Sequence, residues 1–113
     1  MREIKNEADV HELVQTFYLK VLADDVLAPF FKNLNLEEHL PKMEFFWRFV
    51  LLDESGYTTS VTDKHMHMRL KEEHFKRWLL LFYQTLDELF IGEKVELAKQ
   101  RAAVIGWTIQ SKM

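Results

Sequence analysis

The residue of this chain best placed to do chemistry is His65. It sits in the stretch from Tyr57 to Phe82, between a Thr- and Ser-rich half and an apolar one, with Met66 and Met68 close after it. The first half has no sustained period and reads as a loop running into a short turn of helix. A histidine there can direct a ring nitrogen into the core, and imidazole is a common ligand for metal ions and haem iron. The plainer reading is a partly buried, hydrogen-bonded histidine. His67 is a rival only two residues on, but in a helical turn it faces away from His65. A His-x-His pair could also bind a non-haem metal, yet no Asp or Glu is spaced to complete such a set.

Three other polar side chains matter. Tyr18 follows Phe17 on what the spacing makes the buried side of a helix, so its hydroxyl must find a partner there. By itself a core tyrosine bonded to a backbone carbonyl would satisfy that need. Trp78 opens the run Trp-Leu-Leu-Leu-Phe and carries an indole N–H. His39 stands at the mouth of a helix, read as exposed or half-exposed. His11 and His74 read as surface residues.

The elements that hold these residues are helices. Val10, Leu13, Val14, Phe17, Tyr18, Val21 and Leu22 recur at helical steps after Asp9, which reads as the cap, and the pattern stops near Asp24-Asp25. Leu27 to Phe31, with Pro29, is a single tight turn, and Lys32 to Leu36 a polar linker. The next helix runs to about Leu52 over Met43, Phe46, Trp47, Val50 and Leu51. Pro41 requires either that it start near residue 41 or that it start earlier and kink there. Asp53 to Asp63 is a loop, with Ser55-Gly56 as the helix stop. A helix from about Lys71 to Phe90 buries Phe75, Trp78, Leu79, Phe82 and Leu86, and Gly92 ends it. The last runs from Glu93 to about Gln110, with Val95, Ala98, Ala102, Ile105 and Ile109 inward.

Composition agrees. With 113 residues the chain is expected to be one domain, and with only three Gly and two Pro it has little material for tight β-turns, so it should be all-α. Nine Phe and three Trp suit a dense core or a pocket for a flat ligand. The net charge of −3 is spread without a basic stripe, which argues against nucleic acid. No cysteine is present, which removes disulfides and thiolate sites and fits a reducing cytoplasm. Neither a signal peptide nor a membrane span is legible.

Taken together, these fragments resemble the truncated haemoglobins, the short globins with a two-over-two helical sandwich, and group III more than groups I or II. Phe17-Tyr18 is followed, thirteen residues after the Tyr, by Phe31. His39 precedes Trp47 by eight residues, Tyr57 precedes His65 by eight, and His65 precedes Phe75 by ten. The resemblance implies a globin fold over residues 1–113 and haem b with His65 as the proximal iron ligand. It implies Tyr18 and Trp78 as distal donors to a diatomic ligand, with His39 at the distal histidine position. Phe31 would pack on the haem face, and Met43, Phe46 and Trp47 would line the distal side. Lys42 and Lys64 would reach the propionates. The ligands implied are dioxygen, nitric oxide, carbon monoxide or a peroxide, with an unidentified reductase as a partner. The chain is expected to be a monomer or weak dimer, used for oxygen binding or transport or for chemistry on nitric oxide or peroxide. The alternatives are a haem-based gas sensor and a haem-free helical interaction module.

Overall fold

The computed structural model describes residues 2–31, 36–53 and 71–112. Five helices carry the described chain: α1 (Glu7–Ala23), α2 (Ala28–Phe31), α3 (Leu36–Leu52), α4 (Glu72–Leu89) and α5 (Glu93–Lys112). Helix α1 packs on α3 and α4 and leads into α2, while α5 packs on α4 and α3. Their apolar faces close on one core containing Val10, Leu13, Phe17, Leu51, Phe82 and Leu86.

Helix α1 begins one turn before the sequence places it. Asn6 is the cap, its side-chain oxygen accepting from the Asp9 amide at 3.0 Å, and the Asp9 carboxylate returns the bond to the Asn6 amide at 3.3 Å. Asn is as good a cap as Asp, and this leaves the Asp9 carboxylate for a second task. It accepts from the Lys5 amide at 2.8 Å and from Arg2 Nε at 2.9 Å. Arg2 also lies over the Phe90 ring, 5.0 Å from its centre, and its carbonyl accepts the Ile91 amide at 3.0 Å. The N-terminal arm is thereby fastened across the α4–α5 turn. Gly92 in that turn has a φ of +110°, and a Cβ there would meet Glu3 Oε1 at 3.0 Å. The backbone favours glycine there, and the Glu3 side chain leaves little room for another residue.

The helix starts before Pro41, not at it: α3 runs from Leu36 and contains Pro41. It ends at Leu52, and the next residue, Asp53, has a left-handed φ of 58°. The stop expected at Ser55-Gly56 and the loop to Asp63 lie outside the described residues. Helix α4 begins as expected, although His74 is not the surface residue it was read to be. Its Nδ1 accepts from the Lys71 amide at 2.8 Å, and its ring lies 4.4 Å from that of Phe30. Along α5, Val95, Ala98 and Ala102 are buried as expected, and Ile105 partly so.

Asp9 supplies a test of the arm. Burial pushes its carboxyl up, but the Lys5 amide, Arg2 and the Asn6 amide outweigh that and hold it below the ordinary value. A carboxyl lowered in the native state stabilises fully above its unfolded value and loses that contribution as pH falls through the native one. Asp9→Ala should cost about 1–3 kcal/mol at neutral pH by stranding the amides it serves. The difference from wild type should shrink as melts are taken from pH 7 toward pH 3. A difference that stayed constant with pH would contradict this role for the carboxylate.

Candidate functional site

Tyr18 and His39 find each other. Tyr18 lies on the face of α1 that carries Val14, Phe17 and Val21, all buried. His39 lies in the first turns of α3, and Met43 and Trp47 follow it at four-residue steps on the same buried face. Contrary to the exposed position the sequence suggested, His39 is only 8% exposed. Its Nε2 is 2.7 Å from the Tyr18 hydroxyl oxygen, and the two rings meet edge to face at 5.4 Å. Starting the helix at Leu36 carries His39 inward.

Burial alone drives the Tyr18 phenol well above its ordinary value, so it stays neutral and keeps its proton. That proton can face only one acceptor at a time. If His39 is protonated on Nδ1, its bare Nε2 accepts from Tyr18. If the proton is on Nε2, His39 donates to the Tyr18 oxygen, and the Tyr18 O–H is released toward another acceptor.

Around this pair the walls are aromatic. Tyr18 packs against Phe31 at the end of α2, with ring centres 6.0 Å apart. Phe17 takes edge contacts from Tyr18 at 5.3 Å, Trp78 at 5.6 Å and Phe82 at 5.0 Å. Phe82 in turn stacks between Trp47, at 4.9 Å, and Trp78, at 5.8 Å. These contacts leave a cavity of about 20 Å³ lined by residues that include Tyr18, Met43, Phe46, Trp47 and Trp78. A cavity needs about 10–15 Å³ to take a single water, so this one has room for one molecule of about that size. No hydrogen bond engages the Trp78 indole among the described residues.

The remaining expectations divide. Phe31, Met43, Phe46, Trp47, Tyr18, His39 and Trp78 are brought together. Lys42 is exposed on α3, with its ammonium 3.4 Å from Glu38 one turn back. His65, Lys64, His67 and Tyr57 lie outside the described residues. The donor set fits the distal half of a haem pocket: two buried polar side chains and an indole N–H set in an otherwise apolar, aromatic wall. Val14, Phe17, Phe82 and Ile105 also build this wall. Their helical spacing marked all but Val14 and Phe17 merely as core, and those two as the inner face of α1. Asp24, read only as a helix stop, is a buried carboxylate that bonds Arg77 on α4 at 2.6–2.8 Å. A larger open cleft of about 960 Å³ runs between the N-terminal arm, the end of α3 and the start of α5. Its lysine at position 94 is bonded to the Leu51 carbonyl, and we place no chemistry there.

Since a phenol is the better donor of the two and imidazole nitrogen the better acceptor, the resting pair should be Tyr18 O–H to His39 Nε2. Nitrogen-15 NMR of the protein should then show His39 neutral and protonated on Nδ1, with its Nε2 resonance moving in Tyr18→Phe. A His39 protonated on Nε2 would reverse the bond.

Comparison with known proteins bears on what this pocket is for. The family model for bacterial-like globins matches residues 3–106. A group 3 truncated hemoglobin of Campylobacter jejuni is 30% identical over 118 residues, spanning 98% of this chain and 93% of that one. A group 1 truncated hemoglobin of Tetrahymena thermophila is 31% identical over 94 residues, spanning 82% and 78%. The crystal structure of the group III truncated hemoglobin from Campylobacter jejuni superposes with a TM-score of 0.88 at 31% identity, covering 99% of this chain and 94% of that one.

Proposed function

The chain belongs to the truncated haemoglobins of the bacterial-like globin family, and from that premise we propose that it holds haem b through His65 and retains dioxygen in the cavity beside Tyr18 and Trp78. The observation that carries the reading is the buried Tyr18–His39 bond at a cavity of about 20 Å³ that Trp78 also lines. Haem supplies reversible binding of a diatomic gas. Everything that selects and retains the gas comes from the chain.

Met43, Phe46 and Trp47 give the cavity an apolar lining, and Phe31 packs on Tyr18 behind it. In so apolar a setting a hydrogen bond is electrostatically stronger than in water. Oxygen held by the haem would carry partial negative charge, so a donor facing it would hold it more tightly, whereas carbon monoxide would stay nearly neutral. Tyr18 offers an O–H and Trp78 an N–H, from two different helices. His39 governs which way the Tyr18 proton faces. Two donors favour retention over fast delivery. The same donors would polarise a peroxide or serve nitric oxide chemistry, with electrons from a reductase in the cytoplasm. Lys42, together with Lys64, is proposed to meet the propionates, exchanging its contact with Glu38.

The test is made on the haem-loaded protein. A hydrogen bond to a charged acceptor is worth about 1.5–3 kcal/mol, and about 1.4 kcal/mol is tenfold in a rate ratio. Tyr18→Phe and Trp78→Phe should each speed oxygen release by about tenfold or more, with a much smaller effect on carbon monoxide. Because the two donors share one acceptor, the double variant should be non-additive. Release within a factor of about two of wild type in both single variants would make them ordinary core aromatics.

His65 has its own test. His65→Gly should lose the proximal-imidazole spectrum, and free imidazole should partly restore it, while His67→Gly leaves the spectrum nearly unchanged. An unaltered His65→Gly spectrum would transfer the ligand to His67.

A further inference from the structure

Among the described residues, the ring contacts that hold Trp78 at the cavity are with Phe17 and Phe82. It lies nearly parallel to Phe82, with 6° between the planes, and takes an edge contact with Phe17 at 82°. Phe82 is one turn along the same helix, so stacking on it cannot fix where α4 sits against α1. Edge contacts tolerate tilting and sliding at little cost, since an aromatic pair accepts centroid separations from about 4.5 to 7 Å. An N–H aimed at a diatomic ligand has far less latitude, because a hydrogen bond weakens steeply once bent below about 120°.

Next to Trp78 in sequence, Arg77 supplies what the stacking lacks. Its Nε and Nη2 both reach Oδ1 of Asp24, at 2.8 and 2.6 Å. The other oxygen of Asp24 accepts from the amides of Val26 and Leu27 at 3.2 and 3.1 Å, and its carbonyl accepts the Ala28 amide at 2.8 Å. One buried residue thus ties together the end of α1, the start of α2 and the first half of α4. The other ion pair between α1 and α4, Lys20 with Glu88, lies three turns away. The Arg77 side chain is 42% exposed, and half-exposed pairs add little to stability. Its geometry is therefore the more consequential property: both donors of a planar fork converge on a carboxylate that two backbone amides already immobilise.

We propose that Asp24 and Arg77 are a positioning pair for Trp78, fixing the rotation and height of α4 so that the indole N–H meets the ligand. The inference rests on Trp78 being a donor, as proposed above, and the test separates the two.

Arg77→Met keeps the aliphatic stem and removes the fork. In the haem-loaded protein it should speed oxygen release about fivefold, with little change for carbon monoxide. Arg77→Lys should recover part of the loss. In a Trp78→Phe background, Arg77→Met should have no further effect. A second readout is the indole N–H resonance of Trp78 in the ferrous carbon monoxide form, identified by its loss in Trp78→Phe. That resonance should move in Arg77→Met, while the one from Trp47 stays in place. An Arg77→Met protein that melts at a lower temperature but keeps both the release rate and the resonance would overturn the proposal. So would an acceleration that persists without Trp78. Should Trp78→Phe itself leave release unchanged, the donor reading and this inference fall together. A fast Trp78→Phe beside an unaltered Arg77→Met sinks only the inference.

Discussion

A phenol and an imidazole taken out of water must be given partners, and here each is the other's partner. Leaving either unpaired in this aromatic interior would cost on the order of 1–3 kcal/mol. The Tyr18–His39 bond therefore dictates how close α3 approaches α1, and with it where Met43 and Trp47 stand. It also decides what the core can contain. Phe17 cannot be replaced by a polar group without reopening the pair to water, and Phe31 closes it from the α2 side. The site is a polar bond embedded in rings, and the rings are arranged as much to keep that bond dry as to fill space.

Much of this was legible in the sequence, and the reasons differ by residue. The helical steps of α1, α4 and α5 are strong because one face of each is nearly all apolar, so their existence and inner residues could be read directly. Tyr18 was marked as needing a partner, since a hydroxyl on an apolar face is a local contradiction. Its partner could not be named, because the bond to His39 spans 21 residues and no period records it. His39 was misplaced outward because Pro41 pulls the expected helix start toward itself. The capping chemistry shifted by one turn because Asn6 and Asp9 are both good caps, and only the arm's need for a carboxylate separates them. Asp24 was invisible as anything but a terminator, since its engagement with Arg77 is purely tertiary. The resemblance to truncated haemoglobins came from ordered spacings of aromatic and imidazole residues across the chain, and of these Tyr18, Phe31, His39, Trp47 and Trp78 meet around one small volume.

Size constrains the rest. A domain of 113 residues buries roughly two-thirds of its unfolded surface, and aromatic side chains contribute 150–250 Å² each to that burial. Phe17, Trp47 and Trp78 each contact the Phe82 ring, so the cluster that shapes the ligand cavity is also a large share of what keeps the fold together. Stability and ligand retention are thus carried by the same side chains, and a substitution that tunes one will be felt in the other.

Pro41 gives α3 an uneven strength along its length. Having no amide hydrogen, it cannot close the hydrogen bond to the Glu37 carbonyl that an ordinary residue at this place in the helix would make, and its ring crowds that same carbonyl. The turn bearing His39 is therefore fastened to the body of the helix by one backbone bond fewer than an unbroken helix supplies. In hydrogen-exchange terms, the amides of residues 37–40 should open at a lower free energy than those in the middle of α3. The bond from His39 to Tyr18 is one of the ties that hold this turn. A ligand that draws the tyrosine proton away removes that tie, so the occupancy of the cavity is written into the exchange rate of the first turns of α3.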